Sequence, residues 1–294
     1  MNQTKYITML VGTTFLMGIA FPIGKIGLDY APPFLLMSFR YLIAGVLLVL
    51  ITRRRQQPRG KQWLQAAAIG LLQTTGVMGC AYFSMRWITS SESAILTFVN
   101  PLLVIVLGTL LTGAVYRLRQ WAGVAVGFLG VAVTFGLHVD LSPGTFICLA
   151  GAVCFASATL LIKRWGAGFD MNVLAAYQML SGGIVLLALS FIAEKPVFTV
   201  TSTSVIVVLS LALFCSIVQF TTWYHLLKQG DAAKTSSFLF LAPLFGVLCS
   251  WLMLGEQLHL YTAIGGALIC TGIFLVNREG AKTTHQHTNH TVAQ

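Results

Sequence analysis

The sequence predicts an all-α integral membrane protein of ten transmembrane helices, arranged as two inverted five-helix repeats. Three observations carry that prediction. Of the 294 residues, 56% are hydrophobic and 9% are charged, whereas a water-soluble domain carries about 25% charge, so too few charges are present to cover a water-facing surface. The apolar residues come in runs of roughly twenty, the length that crosses a hydrocarbon core. Lys and Arg collect in every second connection between those runs, as topology determinants do.

The runs fall at 7–28, 33–51, 63–84, 93–113, 121–138, 143–163, 171–193, 203–227, 235–254 and 261–277. They are too long for strands, and a helix is the form that satisfies its own backbone hydrogen bonds in lipid. The first run follows Lys5 and contains Gly18-Ile19-Ala20, which loosely imitates a cleaved leader. It continues through Phe21 to Ile26 and has a counterpart later in the chain, so it is taken as the first crossing. With the amino terminus inside, 14 of the 18 Lys and Arg fall on inner segments, and only Lys25, Arg40, Arg86 and Lys195 on the outer half. This asymmetry places the chain in the plasma membrane as a multi-pass protein with both termini cytoplasmic. The net charge of +10 sits in these short loops, so it speaks for topology and for contact with the lipid bilayer rather than for nucleic acid. The longest loop, Thr52 to Gln62, is basic, and residues 278–294 form a polar tail expected to be a disordered cytoplasmic segment.

The two halves, residues 1–138 and 143–277, resemble each other. An offset of 142 pairs Pro101 with Pro243, Gly123 with Gly265, Gly130 with Gly272, Tyr82 with Tyr224 and Arg86 with Lys228; an offset of 138 pairs Lys25 with Lys163 and Gly45 with Gly183. Proline bends a helix and glycine lets two helices approach, so matched positions imply halves that bend and fit together alike. Five helices per half is an odd number, which inverts the second half. Inverted halves around a midplane site are the architecture of secondary transporters. Pro22, Pro101 and Pro243 are the expected kinks or hinges.

These residues resemble the EamA family of the drug/metabolite transporter superfamily, over residues 7 to 277 as two tandem copies. Ala242-Pro243, then Leu254-Gly255-Glu256, Gly265 and Gly272, look like that family's Pro…Gly-Glu…Gly…Gly pattern. The first copy shows Asn100-Pro101, Gly113, Gly123 and Gly130, and departs at Ala114, where the acidic residue would fall. Arg40, within Phe39-Arg40-Tyr41, resembles an arginine common in the family's second helix. The resemblance implies ten helices, a central cavity and the transport or export of metabolites, without naming a substrate.

An ionisable group inside a membrane is costly and therefore a functional candidate. Arg40 leads, because a guanidinium can hold a carboxylate or phosphate bidentately; the competing role is snorkelling or bonding to neighbouring carbonyls. Thr97 and Asn100, with Ser93, share one face of the fourth helix, as do Gln219 and Trp223, with Ser216, in the eighth and Gln178 with Ser181 in the seventh. Such stripes line a polar cavity or bond helix to helix. Trp223, Tyr224 and Tyr177 offer rings for stacking, or space filling at the interface. Glu256 is expected as a solvated charge near the start of the following helix, with a gate residue as the alternative, and Gly123 with Gly127 as a close helix contact or the seam of a homodimer. No metal or cofactor site is expected: the six cysteines lack ligand spacing, and His285, His287 and His290 sit in the polar tail. No Asp or Glu lies in the middle of a run and no Walker loop is present, which argues against a carboxylate-based ion site and against ATP-driven pumping. The expected function is a secondary transporter, an exporter of a small metabolite such as an amino acid or related compound, and not an enzyme. A multidrug exporter would want an acid in the cavity, and a lipid-handling membrane enzyme would want convergent His, Asp, Glu or Cys, which His138 and His225 at opposite ends do not supply.

Overall fold

The computed structural model describes residues 3–113, 115–134, 142–229, 238–257 and 259–277, and every regular element among them is helical. The tail 278–294 with its histidines, Ala114, His138 and Asp231 lie outside the described residues. Seven segments are long and apolar enough to cross a membrane, and three further apolar helices, Leu118–Val133, Leu241–Leu254 and Leu260–Val276, are shorter. The chain is a multi-pass helical membrane protein. Large apolar side chains such as Leu64, Leu110, Ile192 and Leu260 point outward, as lipid contact requires and water does not favour.

Helix α1 spans Gln3–Gly27 and α2 spans Pro33–Thr52. The third crossing is composite: α3 (Gln62–Gly70), a π-helical segment π1 (Leu71–Gly79) and α4 (Cys80–Ser84). The fourth is α5 (Ser90–Thr97) and α6 (Asn100–Thr112), interrupted at Phe98 and Val99. Then come α7 (Leu118–Thr134), α8 (Pro143–Trp165) and α9 (Met171–Ala193). The next long segment joins α10 (Ser202–Ala212), a second π-helical segment π2 (Leu213–Val218) and α11 (Gln219–Gln229). A 3₁₀ turn at Phe238–Phe240 leads into α12 (Leu241–Leu254), and α13 spans Leu260–Asn277.

The prolines act differently from one another. Pro22 lies inside an unbroken α1, so it causes no break there. Pro101 falls in the first turn of α6, where the chain restarts its helix after Phe98. Pro243 likewise lies in the first turn of α12. A first-turn proline removes only a donor that has no intrahelical partner, so both mark helix starts rather than bends.

Several features recur at one spacing. The π-segments begin at Leu71 and Leu213, and 213 − 71 = 142, the offset that pairs Pro101 with Pro243. Gly113 and Gly255, again 142 apart, both end their helices with φ 64°, a left-handed turn that only glycine adopts without cost. The helix contacts repeat too. A Cβ on Gly123 would lie 2.8 Å from the Gly272 carbonyl oxygen, and one on Gly130 would lie 2.7 Å from that of Gly265. Exchanging repeat partners turns the first contact into the second. Gly45 against Leu180 and Gly183 against Leu42 make the same kind of pair between α2 and α9.

Gly123 thus faces α13, and Gly127 faces Leu102. Both glycines of this Gly-x-x-x-Gly motif are used within the chain, and the motif offers no free seam for a homodimer.

Loop contacts define two ends of the bundle. At the basic end, Arg55 pairs with Asp170 at 3.1 Å and the Gln62 amide donates to the Gly168 carbonyl at 2.8 Å. At the opposite end, Arg86 pairs with Glu194 at 3.0 Å, and Thr199 N donates to the Tyr30 carbonyl at 2.8 Å.

Candidate functional site

A cavity of about 250 Å³ lies inside the bundle. Its deep wall carries Met17, Ala20 and Phe21 of α1, Arg40 of α2, Gln73 and Met78 of π1, and Thr97, Phe98 and Asn100 around the α5–α6 break. Its other wall carries Phe155, Thr159 and Ile162 of α8, Met171 of α9, Gln219, Phe220, Trp223 and Tyr224 of α11, and Leu239. Ile162 and Met171 stand where α8 ends and α9 begins, so the cavity runs from mid-depth toward the basic end.

The opposite end is closed by Tyr82 in α4. Its hydroxyl donates to the Ala20 carbonyl at 2.6 Å and accepts from Arg40 Nη1 at 3.4 Å. Its ring stacks with Phe21 at 6.2 Å, and Phe21 in turn meets Phe98 at 5.9 Å. Gly24 makes room for that ring, since a Cβ there would overlap it. Beyond Tyr82, Lys25 Nζ donates to the Met85 carbonyl. No polar side chain of this plug is left unmatched, which is what a stable closure in a low-dielectric interior needs.

Arg40 is 2% exposed. Its Nε donates to Ser216 Oγ at 2.9 Å and its Nη2 to the Cys215 carbonyl at 2.7 Å, both in π2. The Tyr41 ring lies 4.8 Å from its guanidinium carbon. A π-turn shifts bonding from i−4 to i−5, and Ser216 Oγ accordingly donates to the Leu211 carbonyl five residues back, at 3.0 Å. The Cys215 carbonyl is therefore presented sideways to α2. Arg40 joins the first half to the second and lines the cavity as well.

The candidates from sequence separate cleanly. Arg40, Thr97, Asn100, Gln219 and Trp223 converge on the cavity. Asn100 Oδ1 is buried there without a hydrogen-bond partner, an acceptor available to a ligand N–H or O–H. Gln178 and Tyr177 do not line it. Gln178 is 0% exposed, and its amide makes no hydrogen bond, although Tyr224 lies close enough to interact with it. Tyr177 sits at the basic end, where its hydroxyl donates to Gln57 Oε1 at 2.7 Å and its ring meets Trp63 edge-on at 4.7 Å. Nearly two helical turns, at about 3.6 residues each, separate these two residues from Met171, the one residue of α9 that lines the cavity. Ser93 and Ser216 proved to be helix-to-helix donors or acceptors: Ser93 Oγ bonds the Ala81 carbonyl at 3.0 Å.

Gln73, Phe21, Phe98, Phe155 and Phe220 were not singled out from sequence. Aromatic residues in an apolar run carry no periodic signal of their own, and Gln73 is turned inward by the π-segment, which hydropathy does not register. The matching of Tyr82 with Tyr224 was the one available pointer to the plug.

The charged residues at the ends are structural. Glu256 accepts from the backbone N–H of Ser90 at 2.8 Å and of Ser91 at 3.0 Å, and from Ser91 Oγ at 2.5 Å. It caps α5, not the helix that follows it, because Gly255 turns the chain back across the bundle end. Glu194 accepts from Phe34 N at 3.0 Å at the start of α2. Burial pushes its carboxyl above the ordinary value, and Arg86 and the α2 N–H groups pull it only part of the way back. For Asp170 burial also pushes upward, but bonds from Arg55, Asn172 N and Val173 N outweigh it and hold the carboxyl below its ordinary value.

A helical bundle that faces lipid on its outside and encloses a mixed polar and aromatic cavity belongs to the class of polytopic membrane proteins that handle a solute within the bilayer. The chain belongs to the EamA-like transporter family, whose model matches it twice, over residues 4–136 and 142–278. It is 29% identical over 282 residues to the uncharacterized transporter YvbV of Bacillus subtilis (strain 168), covering 94% of this chain and 92% of that one. It is 27% identical to the uncharacterized inner membrane transporter YedA of Escherichia coli (strain K12), with 86% of this chain and 84% of that one covered. The WAT1-related protein At3g02690, chloroplastic, of Arabidopsis thaliana is 27% identical, over 92% of this chain and 69% of that one. A crystallised chain shares the fold with a TM-score of 0.66 at 21% identity, over 90% of this chain and 94% of that one. The protein is a membrane transporter.

Proposed function

We propose that this chain is a secondary carrier that exports a small amphipathic metabolite, an amino acid or related compound, by alternating access to the cavity. Its ten apolar segments cross the bilayer as two inverted five-helix halves, residues 1–138 and 143–277, with both termini cytoplasmic. The observation that carries this reading is the one-sidedness of the cavity: Tyr82 shuts it at one end while its walls reach the basic end. Basic loops face the cytoplasm, so a cavity on that side loads from within. The shared offset of the π-segments, the first-turn prolines and the two left-handed glycines supports two halves with the same internal geometry, and such halves can exchange roles.

Counterflow in proteoliposomes tests the activity. Vesicles preloaded with an unlabelled amino-acid and organic-acid mixture should accumulate a labelled member of it, and silence across the mixture would refute the carrier. Cysteine labelling tests the topology: cysteines placed in the Arg53 and Lys195 loops should react from opposite faces, and reaction from the same face would remove the inverted arrangement.

A further inference from the structure

The site holds a charge that its surroundings do not balance. Arg40 is 2% exposed and lies at mid-depth in the bundle, where a guanidinium stays protonated. Its partners, Ser216 Oγ, the Cys215 carbonyl, the Tyr82 hydroxyl and the Tyr41 ring, are all neutral. Every described carboxylate is engaged or exposed at an end of the bundle. Asp29 is exposed in the turn after α1. Glu92 closes its own capping box with Thr89. Asp170 holds Arg55, Glu194 holds Arg86, and Glu256 caps α5. A buried cation without a counter-ion is a costly arrangement, kept where a partner arrives from elsewhere.

Arg40 also retains capacity to bind. A guanidinium carries five N–H donors, and the three bonds it makes leave two of them free on its terminal nitrogens. Arg40 is part of the cavity wall. The remaining wall pairs neutral polar groups, among them Gln73 and Asn100, with the rings of Phe21, Phe98, Phe220 and Trp223, and no described acid faces inward. Such a wall favours an anion and disfavours a cation.

We propose that the cavity takes an organic monoanion, its carboxylate seated on the free edge of Arg40 and its apolar or aromatic body lying among Phe21, Phe98, Phe220 and Trp223. This deepens the carrier reading and rests on it only for the ligand's passage, not for its binding. One unit of negative charge cancels one guanidinium, so the loaded cavity is neutral and can be closed off from water at both ends more readily than the empty one.

The test uses the full-length protein in nanodiscs of zwitterionic lipid and three probes of one shape: 3-phenylpropanoate, 3-phenylpropanamide and 3-phenylpropylamine, which are anionic, neutral and cationic at pH 7. Binding is read by calorimetry and by quenching of tryptophan emission. The anion should bind at least about ten-fold more tightly than the amide, a difference of about 1.4 kcal/mol, with the amine weakest. Arg40→Gln should abolish that order, and Arg40→Lys should keep it at lower affinity. An anion that does not bind, an amide or amine that binds as well, or an unchanged order in a folded Arg40→Gln protein would each overturn the proposal. If Arg40→Gln does not fold, the order in the unaltered protein decides. Tight anion binding without counterflow of labelled 3-phenylpropanoate would leave this site standing and count against the carrier, whereas counterflow of a neutral or cationic solute without anion preference would do the reverse.

Discussion

Tyr82 and Tyr224 stand at matched places, each just beyond a π-segment, yet they do opposite things. Tyr82 is fully buried in a plug, bonded to Ala20 and Arg40 and seated on Gly24. Tyr224 forms part of the open wall, edge-on to Phe220 at 6.0 Å. The difference lies in what surrounds them. The offset of 138 that pairs Gly45 with Gly183 puts Ile162 where the first half has Gly24, and Gln178 where it has Arg40. Tyr82 meets a vacant seat and a cation; Tyr224 lies beside the Gln178 amide, and Ile162 shares the cavity wall with it. Under the alternating-access reading proposed above, this difference predicts that the state closed at the Tyr82 end is the more stable one. Asymmetry of this kind sets the direction in which an otherwise symmetric device rests.

The largest expected effects come from exchanging the seats. Gly24→Leu drives a side chain into the Tyr82 ring and should unseat the plug. A cysteine at Gln73, in a background without native cysteines, should then react at least about ten-fold faster with an impermeant maleimide added from the Lys195 side, since a shift of about 1.4 kcal/mol in the closure equilibrium is enough for that. Ile162→Gly should seat Tyr224, close the basic end and slow counterflow, while labelling from the basic side falls. If both variants leave labelling on both sides unchanged, the tyrosines are packing residues and the comparison fails.

The partners of the two tyrosines give the next test. Ser216→Ala takes away the acceptor of Arg40 Nε in a buried site, and a bond to a charged group contributes about 1.5–3 kcal/mol. Gln178→Leu replaces an amide buried without a hydrogen bond by an apolar side chain of similar size and should be neutral or stabilising. Thermal unfolding in detergent, followed by aggregation of purified protein, should separate the two. Equal losses in both would show Gln178 to be as firmly bonded as Arg40.

How much of this was visible beforehand depends on the scale of the signal. The crossings at 7–28, 33–51, 63–84, 143–163, 171–193 and 203–227 are legible because twenty apolar residues admit only one structure in lipid. Of the run expected at 235–254, residues 238–254 form a 3₁₀ turn and α12, and its first three residues lie outside the described residues. The close contacts of Gly123 and Gly130 were legible from repeat matching. The π-segments were not: neither Leu71–Gly79 nor Leu213–Val218 has a composition that favours i→i+5 bonding, and the reward of the second comes from a distant group, as the Cys215 carbonyl offered to Arg40 shows. Five of the seven candidate binding residues reach the cavity because each polar group in an apolar run must face something polar. Gln178 and Tyr177 miss it because a stripe on α9 has two interior neighbours, the cavity and the basic loop, and periodicity does not choose between them.

The glycine contacts between α7 and α13 allow a smaller, cleaner comparison. Gly123→Ala and Gly272→Ala each place a Cβ under 3 Å from facing backbone, so the helices must part, at about 1–3 kcal/mol. Because the two positions lie on one contact, the double variant should cost less than the sum. Gly12→Ala in α1 meets nothing within 4 Å and should leave stability unchanged or raise it by up to about 1 kcal/mol.

The smallest effect compares the two ends of the bundle. Unfolded carboxylates titrate near about 4. Glu194 titrates above that value when folded, because burial outweighs Arg86 and the α2 N–H groups; the native state then holds a proton that the unfolded state has lost. Its contribution is fully present below the unfolded value and declines as pH rises through the raised one. Asp170 titrates below its ordinary value, because Arg55 and two backbone N–H groups overcome burial. Its contribution is present above the unfolded value and is lost as pH falls through the lowered one. Thermal scans of Glu194→Gln and Asp170→Asn against the unaltered protein, from pH 3 to 7, should show differences that run in opposite directions. The advantage of keeping Asp170 should grow toward neutral pH, and that of keeping Glu194 should shrink. Parallel curves would mean that the Arg86 pair holds its carboxylate as firmly as the Arg55 pair does, and that the Lys195 end of the bundle is closed by charge as much as by the Tyr82 plug.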